Sequence, residues 1–217
     1  SWNYEFGTHL NLFDSKMQFD LTGYYMQIRN QQLSVMAGNY GFGRMMVNAG
    51  KSYSCGIEAS LRGRALDNHL NWSLNYGYTR AVFKDYVDSV KVDGVNQALD
   101  YKDKRVPFIP EHTLSATADY RIDFGSVLHA LTIGANLTAQ GKTYWDEANE
   151  YEQKLYTVLG AHADADFGKL VVSLWGRNLT DTKYNTFATP SSIAGTTNYY
   201  AHRGNPLQVG IDVKLQF

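Results

Sequence analysis

Residues 207–217 alternate without a break. Leu207, Val209, Ile211, Val213, Leu215 and Phe217 interleave with Gln208, Gly210, Asp212, Lys214 and Gln216. Side chains two residues apart share one face of a strand, whereas a helix would scatter them around its surface, so this segment is a strand with one apolar and one polar face. The same period carries Met45, Val47, Ala49, Tyr53, Cys55, Ile57, Ala59 and Leu61 against Asn48, Ser52, Ser54, Glu58, Ser60 and Arg62. Trp2 to Leu12 set against Asn3, Glu5, His9 and Asn11 repeat it, as do Leu70, Trp72, Leu74, Tyr76 and Tyr78. Further segments at 17–30, 111–123, 128–143, 153–166 and 168–178 bring the expectation to about nine strands and no helix. Between 17 and 30 the phase changes, with Phe19 and Leu21 in one register and Tyr24, Met26 and Ile28 in the other, which predicts a bulge near Gly23.

The connections fall into two alternating kinds. Tight turns are expected at Asp14-Ser15-Lys16, Leu66-Asp67-Asn68, Asp123-Phe124-Gly125-Ser126 and Asp166-Phe167-Gly168. Longer, irregular stretches lie between them, at about 34–44, 89–110, 144–152 and 180–205. Trimmed turns at one end and elaborated loops at the other characterise up-and-down transmembrane barrels, with short periplasmic turns and long extracellular loops. On that orientation the first strand descends and the last descends to Phe217. Trp2, Tyr4 and Phe6 then fall at the upper interface and Phe217 at the lower, where aromatic girdles sit.

Composition is compatible with this. A mean hydropathy of −0.37 is expected when every second residue of a spanning strand faces a polar lumen. No run approaches the ~18 apolar residues of a spanning helix, and no leader-like segment stands at Ser1. A net charge of −1 gives no footprint for nucleic acid. The lone Cys55 is read as a small apolar residue.

Four stretches carry a family resemblance. Asn178-Leu179-Thr180-Asp181-Thr182-Lys183-Tyr184 resembles the Asn-Leu-Thr/Phe-Asp-x-x-Tyr box that leaves the penultimate barrel strand of TonB-dependent receptors. Gly204-Asn205-Pro206 leading into the terminal alternating strand is similar to their Gly-x-Pro-Arg start, with Leu207 in place of Arg. Asn48-Ala49-Gly50 with Gly56-Ile57-Glu58 resembles a mid-barrel strand, and Lys104-Arg105-Val106-Pro107-Phe108-Ile109-Pro110 a Pro-flanked loop before a strand. The resemblance implies an all-β, antiparallel up-and-down transmembrane barrel in the bacterial outer membrane, of about 22 strands. Residues 1–217 would be its C-terminal nine or so, with the plug domain and earlier strands elsewhere. It implies uptake of a scarce solute, an iron chelate first, then cobalamin or an oligosaccharide. The implied partners are outer-membrane lipid, the TonB complex through the plug, the barrel-assembly machinery through Phe217, and a small-molecule ligand. Alone, such a piece is expected to dimerise or aggregate through its open edges and lipid face. The competing reading is a structural or adhesive β-domain, a small self-contained barrel or a soluble sandwich, without transport.

No motif for catalysis, phosphate binding or a resident cofactor occurs, so an enzyme is not expected. His162, Asp164 and Asp166 share one face of a strand, and Glu5 and His9 another. Lacking a third partner in the sequence, both sets read as solvated lumen residues and not as a metal site. The loops offer Tyr40, Phe42 and Arg44; Tyr144 and Trp145; and Tyr199, Tyr200, His202 and Arg203. Aromatic faces beside guanidinium groups can grip an anionic or ring-bearing solute, so these are the candidate ligand residues, with barrel-rim packing as the plain alternative.

Overall fold

The computed structural model describes residues 1–36, 44–92, 95–191 and 198–215. In chain order the strands are β1 (Trp2–Leu12), β2 (Met17–Met36), β3 (Arg44–Ala65), β4 (Leu70–Asp85), β5 (Val87–Val92), β6 (Val95–Asp100), β7 (His112–Asp123), β8 (Ala130–Gln140), β9 (Thr143–Tyr144), β10 (Glu152–Gln153), β11 (Tyr156–Asp166), β12 (Leu170–Arg177), β13 (Asn185–Ser191), β14 (Asn198–Arg203) and β15 (Gln208–Leu215). Nine form one antiparallel meander, β1-β2-β3-β4-β7-β8-β11-β12-β15. The other six make three small hairpins, β5 with β6, β9 with β10 and β13 with β14, all inside the long connections. The expectation of irregular loops is corrected there. Val87-Asp88-Ser89-Val90-Lys91-Val92 has its own alternation, but six residues are too few to span a membrane, which needs about 9–11.

The register sorts every strand onto two faces. Tyr53, Cys55, Ile57, Ala59, Leu61 and Gly63 of β3 lie opposite Gln27, Tyr25, Gly23, Leu21, Phe19 and Met17 of β2. Continuing across β4, β7, β8, β11, β12 and β15, the same face collects Leu74, Ala116, Leu137, Leu159, Leu174 and Ile211 along with their neighbours two residues away. Large apolar side chains here stand open, Phe6 at 85%, Ile211 at 68% and Leu174 at 56% exposure. That is the outer face. The opposite face is polar and laced across strands: Ser60 Oγ donates to Asn75 Oδ1 (2.7 Å), Asn75 Nδ2 to Ser115 Oγ (3.1 Å), and Arg62 Nε to Gln18 Oε1 (2.7 Å).

The bulge expected near Gly23 is absent. β1 and β2 pair without interruption from Trp2 with Gln27 to Leu12 with Met17, so Tyr24, Met26 and Ile28 belong to the inner face. Tyr24 crosses the bare backbone of Gly56, where a Cβ would come within 2.8 Å of its hydroxyl, and hydrogen-bonds Thr79 Oγ1 at 2.7 Å. An aromatic ring with a satisfied hydroxyl can face a polar lumen, and alternation alone does not register this. A register shift lies higher, between Lys51 and Ser52 of β3 opposite β4.

Two of the tight turns adopt left-handed backbone, with φ of 53°, 52° and 64° at Phe13, Asp14 and Ser15 and 52°, 53° and 69° at Leu66, Asp67 and Asn68. Asp and Asn tolerate this conformation best. The buried core lies at the loop end of the sheet: Phe83, Tyr86, Val106 and Ala81 cluster, with Tyr101 and Ile109 packed on them.

Candidate functional site

Above the apolar band, the three described long connections (86–111, 141–155 and 178–207) interlock. The first folds back along the top of β4. Phe83 N donates to Lys104 O (3.0 Å), Asp103 N to Phe83 O (2.9 Å), and Val106 N to Ala81 O (3.1 Å). The Phe83, Tyr86 and Tyr101 rings then pack in series, tilted, with centroids 5.0 and 5.1 Å apart. Asn149 joins this loop to the second: Arg105 N donates to its Oδ1 (2.7 Å) while its Nδ2 donates to Arg105 O (3.0 Å). The primary amide thus mimics a strand neighbour. Asp146 is buried, and its carboxylate accepts from the N–H groups of Glu150 (3.1 Å) and Tyr151 (2.9 Å), closing the 141–155 loop.

The third connection is fixed at its root by Asn178. This buried residue has φ 49°; its Nδ2 donates to Thr182 O (3.0 Å) and Asn205 O (2.9 Å), and its Oδ1 accepts from Thr182 N (2.9 Å). Asp181 Oδ1 accepts from Leu207 N at 3.1 Å. The Asn-Leu-Thr-Asp stretch is therefore a clasp holding both ends of the loop. Tyr184 stacks on Tyr156 at 4.3 Å, and Asn185 N donates to Gln153 Oε1 at 2.9 Å, tying the third loop to the second.

The candidate ligand residues separate here. Trp145 is buried, its indole tilted against Phe108 at 5.7 Å. Tyr144 is half-buried, with Lys142 Nζ over its ring at 5.2 Å. The Tyr144 phenol, first, and the Glu152 carboxylate hold the Lys142 ammonium above its ordinary value. Tyr199 stacks on Tyr151, whereas Tyr200 is 58% exposed and His202 and Arg203 are open, His202 Nδ1 lying 3.0 Å from Thr186 Oγ1. Tyr40 and Phe42 lie outside the described residues, as does Phe217; Arg44 opens β3, with nothing described of its side chain.

Two features were missed by reading the sequence. Phe108 has φ 64°, is held by its N–H donating to Tyr144 O (2.8 Å), and lies parallel to Phe187 at 5.7 Å while 43% exposed. A bulky residue kept in left-handed backbone is a strained placement of the kind found at binding sites. Its signal was the Pro107-Phe108-Ile109-Pro110 run, whose flanking prolines restrict the chain. The second is a set of phenols kept neutral beside carboxylates. Burial, then Asp88 and Glu147, pushes Tyr101 up to about 12, and burial followed by Asp146 raises Tyr199 still further. Tyr86 Oη and Trp145 Nε1 are buried donors with no protein acceptor among the described residues.

On the lumen face, His162 Nε2 lies 3.6 Å from Asp119 Oδ1 and 3.5 Å from Asp164 Oδ2. The third partner absent from the sequence reading is thus Asp119, two strands away. Asp166 turns aside to accept from Gly168 N at 2.7 Å. His9 contacts Asp20, and Gln18 Nε2 lies 3.1 Å from its ring nitrogens. Glu5 instead accepts from Asn3 Nδ2 at 2.5 Å. Among the described residues, no three His, Cys, Asp or Glu side chains are arranged to hold a metal ion.

Comparison with known proteins gives one picture. Residues 1–179 match the TonB dependent receptor-like β-barrel family. The whole chain is 25% identical over 224 residues to a pesticin receptor of Yersinia enterocolitica, spanning 29% of that protein. Over 64% of the chain it is 31% identical to a ferrioxamine receptor of the same organism, covering 18% of it. In fold, 99% of the chain superposes on 29% of the ferric yersiniabactin uptake receptor FyuA of Yersinia pestis, with a TM-score of 0.78 and 22% identity. It superposes likewise on the siderophore receptor PiuA of Acinetobacter baumannii, at 0.75 and 21% over 98% of the chain and 28% of PiuA. The chain spans less than a third of the length of these relatives. With its nine-stranded meander, trimmed turns and apolar outer face, this chain belongs to the TonB-dependent receptor family, as part of the outer-membrane β-barrel.

Proposed function

We propose that the intact protein takes up a ferric siderophore across the outer membrane, and that the interlocked loops 86–111, 141–155 and 178–207 form one side of its outer mouth. The observation that carries this is the aromatic and cationic loop end on a barrel whose relatives are named for ferric yersiniabactin and ferrioxamine. Binding energy, not chemistry at a catalytic group, does the work. Tyr200, His202 and Arg203 offer an exposed ring, an imidazole and a guanidinium within four residues. Arg pairs bidentately with carboxylate or hydroxamate oxygens while the ring stacks on a planar chelate. Phe108 with Phe187 adds a second aromatic surface, and Tyr40, Phe42, Arg44, Tyr144, Trp145 and Tyr199 complete the proposed set.

Energy would reach the site through TonB, by contacts made outside this chain, and assembly would use Phe217 as the aromatic signal read by the barrel-assembly machinery. The test is growth of an iron-starved, receptor-deficient strain carrying the full-length gene, supplied with hydroxamate, catecholate or phenolate chelates of iron in turn. Growth on one class, lost when Tyr200, His202 and Arg203 are changed together to Ala, is expected. No growth on any iron chelate refutes the uptake proposal; growth unaffected by the triple change removes these residues from the mouth.

A further inference from the structure

At the loop end of the outer face, four cations gather on β2, β3 and β4. Arg29 lies opposite Lys51, Lys51 opposite Asp85, and Arg80 opposite Cys55. The register shift between Lys51 and Ser52 places both Lys84 and Asp85 against Lys51, and a Cβ on Gly50 would collide with the Asp85 carbonyl, so the tight bulge requires glycine there. Lys84 consequently turns onto the outer face: its Nζ donates to Tyr25 Oη at 3.3 Å and sits 5.1 Å from the centre of the Tyr53 ring. Tyr25 and Tyr53 stack beneath it at 5.9 Å. Between them is an open hollow of about 270 Å³ lined by Gln27, Ile28, Arg29, Lys51, Ser52 and Lys84. Among the described residues, the carboxylate paired with this cluster is Asp85, 3.6 Å from Lys51 Nζ and itself solvent-exposed.

The height of this cluster identifies what it meets. From Gly63 to Tyr53 the outer face of β3 is uncharged, a run of ~33 Å along the strand that at a tilt of ~40° spans ~25 Å of membrane. Lys51 stands one step above that band, with Arg29 and Lys84 beside it. Arg80 is one step below the rim, where a long side chain reaches upward to the polar layer. Charges buried in acyl chains would be costly, and charges free in water would have no reason to overlie a pair of interfacial tyrosines.

We propose that this hollow binds the phosphate-bearing headgroup of an outer-leaflet lipid. Arg29, Lys51 and Lys84 would grip the phosphate oxygens, while Tyr25 and Tyr53 pack at the sugar–acyl boundary. The site is separate from the loop mouth and rests on the outward orientation of the face and on the loop end lying at the outer leaflet. The test uses full-length receptor in detergent with fluorescent bis-phosphorylated lipid A, its dephosphorylated form, and inorganic phosphate as competitor. Wild type binds the phosphorylated lipid; Arg29→Gln, Lys51→Gln and Lys84→Gln together weaken it by about tenfold or more. Asp85→Asn, which removes the negative charge paired with the cluster, tightens it, an effect that misfolding does not produce. Unchanged affinity in the triple variant, equal binding of the dephosphorylated lipid, or displacement by millimolar inorganic phosphate each overturns the proposal. Should the triple variant not assemble, failure of Asp85→Asn to tighten binding overturns it alone.

Discussion

Ile57 offers the strongest test of which face meets lipid. It is six residues from Gly63 along β3, ~20 Å of strand, or ~15 Å of depth at a tilt of ~40°. That places it near the middle of the ~25 Å band. Between Gly23 and Tyr78, its side chain faces outward and is 46% exposed. Arginine at such a depth costs about 2–4 kcal/mol, or roughly one and a half to three powers of ten in the folding equilibrium. Glu58, the next residue, faces the polar lumen, so Glu58→Gln is expected within about 0.5 kcal/mol of wild type. The assay is urea-dependent folding of the full-length receptor into lipid vesicles, followed by tryptophan fluorescence, with heat-modifiable mobility as a second probe of the assembled barrel. A midpoint for Ile57→Arg equal to that of Glu58→Gln, or a larger loss at Glu58, would refute the face assignment for all nine strands, because the register links them.

Other expectations concern the loop end. Asn178→Ala removes three hydrogen bonds and leaves two carbonyls and an N–H short of partners, so the 178–207 loop should lose about 2–3 kcal/mol of local stability and become the first site of limited proteolysis. Asn149→Ala cuts the two-point bridge to Arg105; hydrogen exchange should quicken in both 86–111 and 141–155, whereas quickening in 141–155 alone would show the loops to be uncoupled. The raised Tyr101 phenol makes the loop pH-sensitive in one direction. Its folded value of about 12 lies above the ordinary 10.0, so its contribution is complete below the unfolded value and fades as pH rises through about 12. Tyrosinate absorbance should show several late-titrating phenols, Tyr101 among them, and Asp88→Asn should bring the Tyr101 titration downward.

How much of this was legible depended on the range of the physics involved. The strands and the two kinds of connection could be read because period two is a local property: Val209, Ile211 and Val213 declare their face without reference to anything else. Tyr24 was assigned to the wrong face because its inward position depends on Gly56 and Thr79, one and two strands away. The contact of Asp119 with His162 needs the register across β8, and Asn149 meets Arg105 across 44 residues. The loop aromatics were recognised by type, yet Trp145 is buried while Phe108, left out of the candidate ligand residues, is half-open. Burial in a loop is set by partners that a linear pattern does not contain.

Among the described residues, the buried hydrophobic cluster of Ala81, Phe83, Tyr86 and Val106 lies at the loop end of the sheet, and that bears on how specificity can change. Because the 141–155 loop holds 86–111 through Asn149 and 178–207 through Gln153, a chimaera that grafts any one loop from a relative breaks at least one of these clasps. Altered ligand choice should therefore arise by point changes at open positions such as Tyr200 and Phe108, or by exchange of the whole trio, while single-loop transplants misassemble.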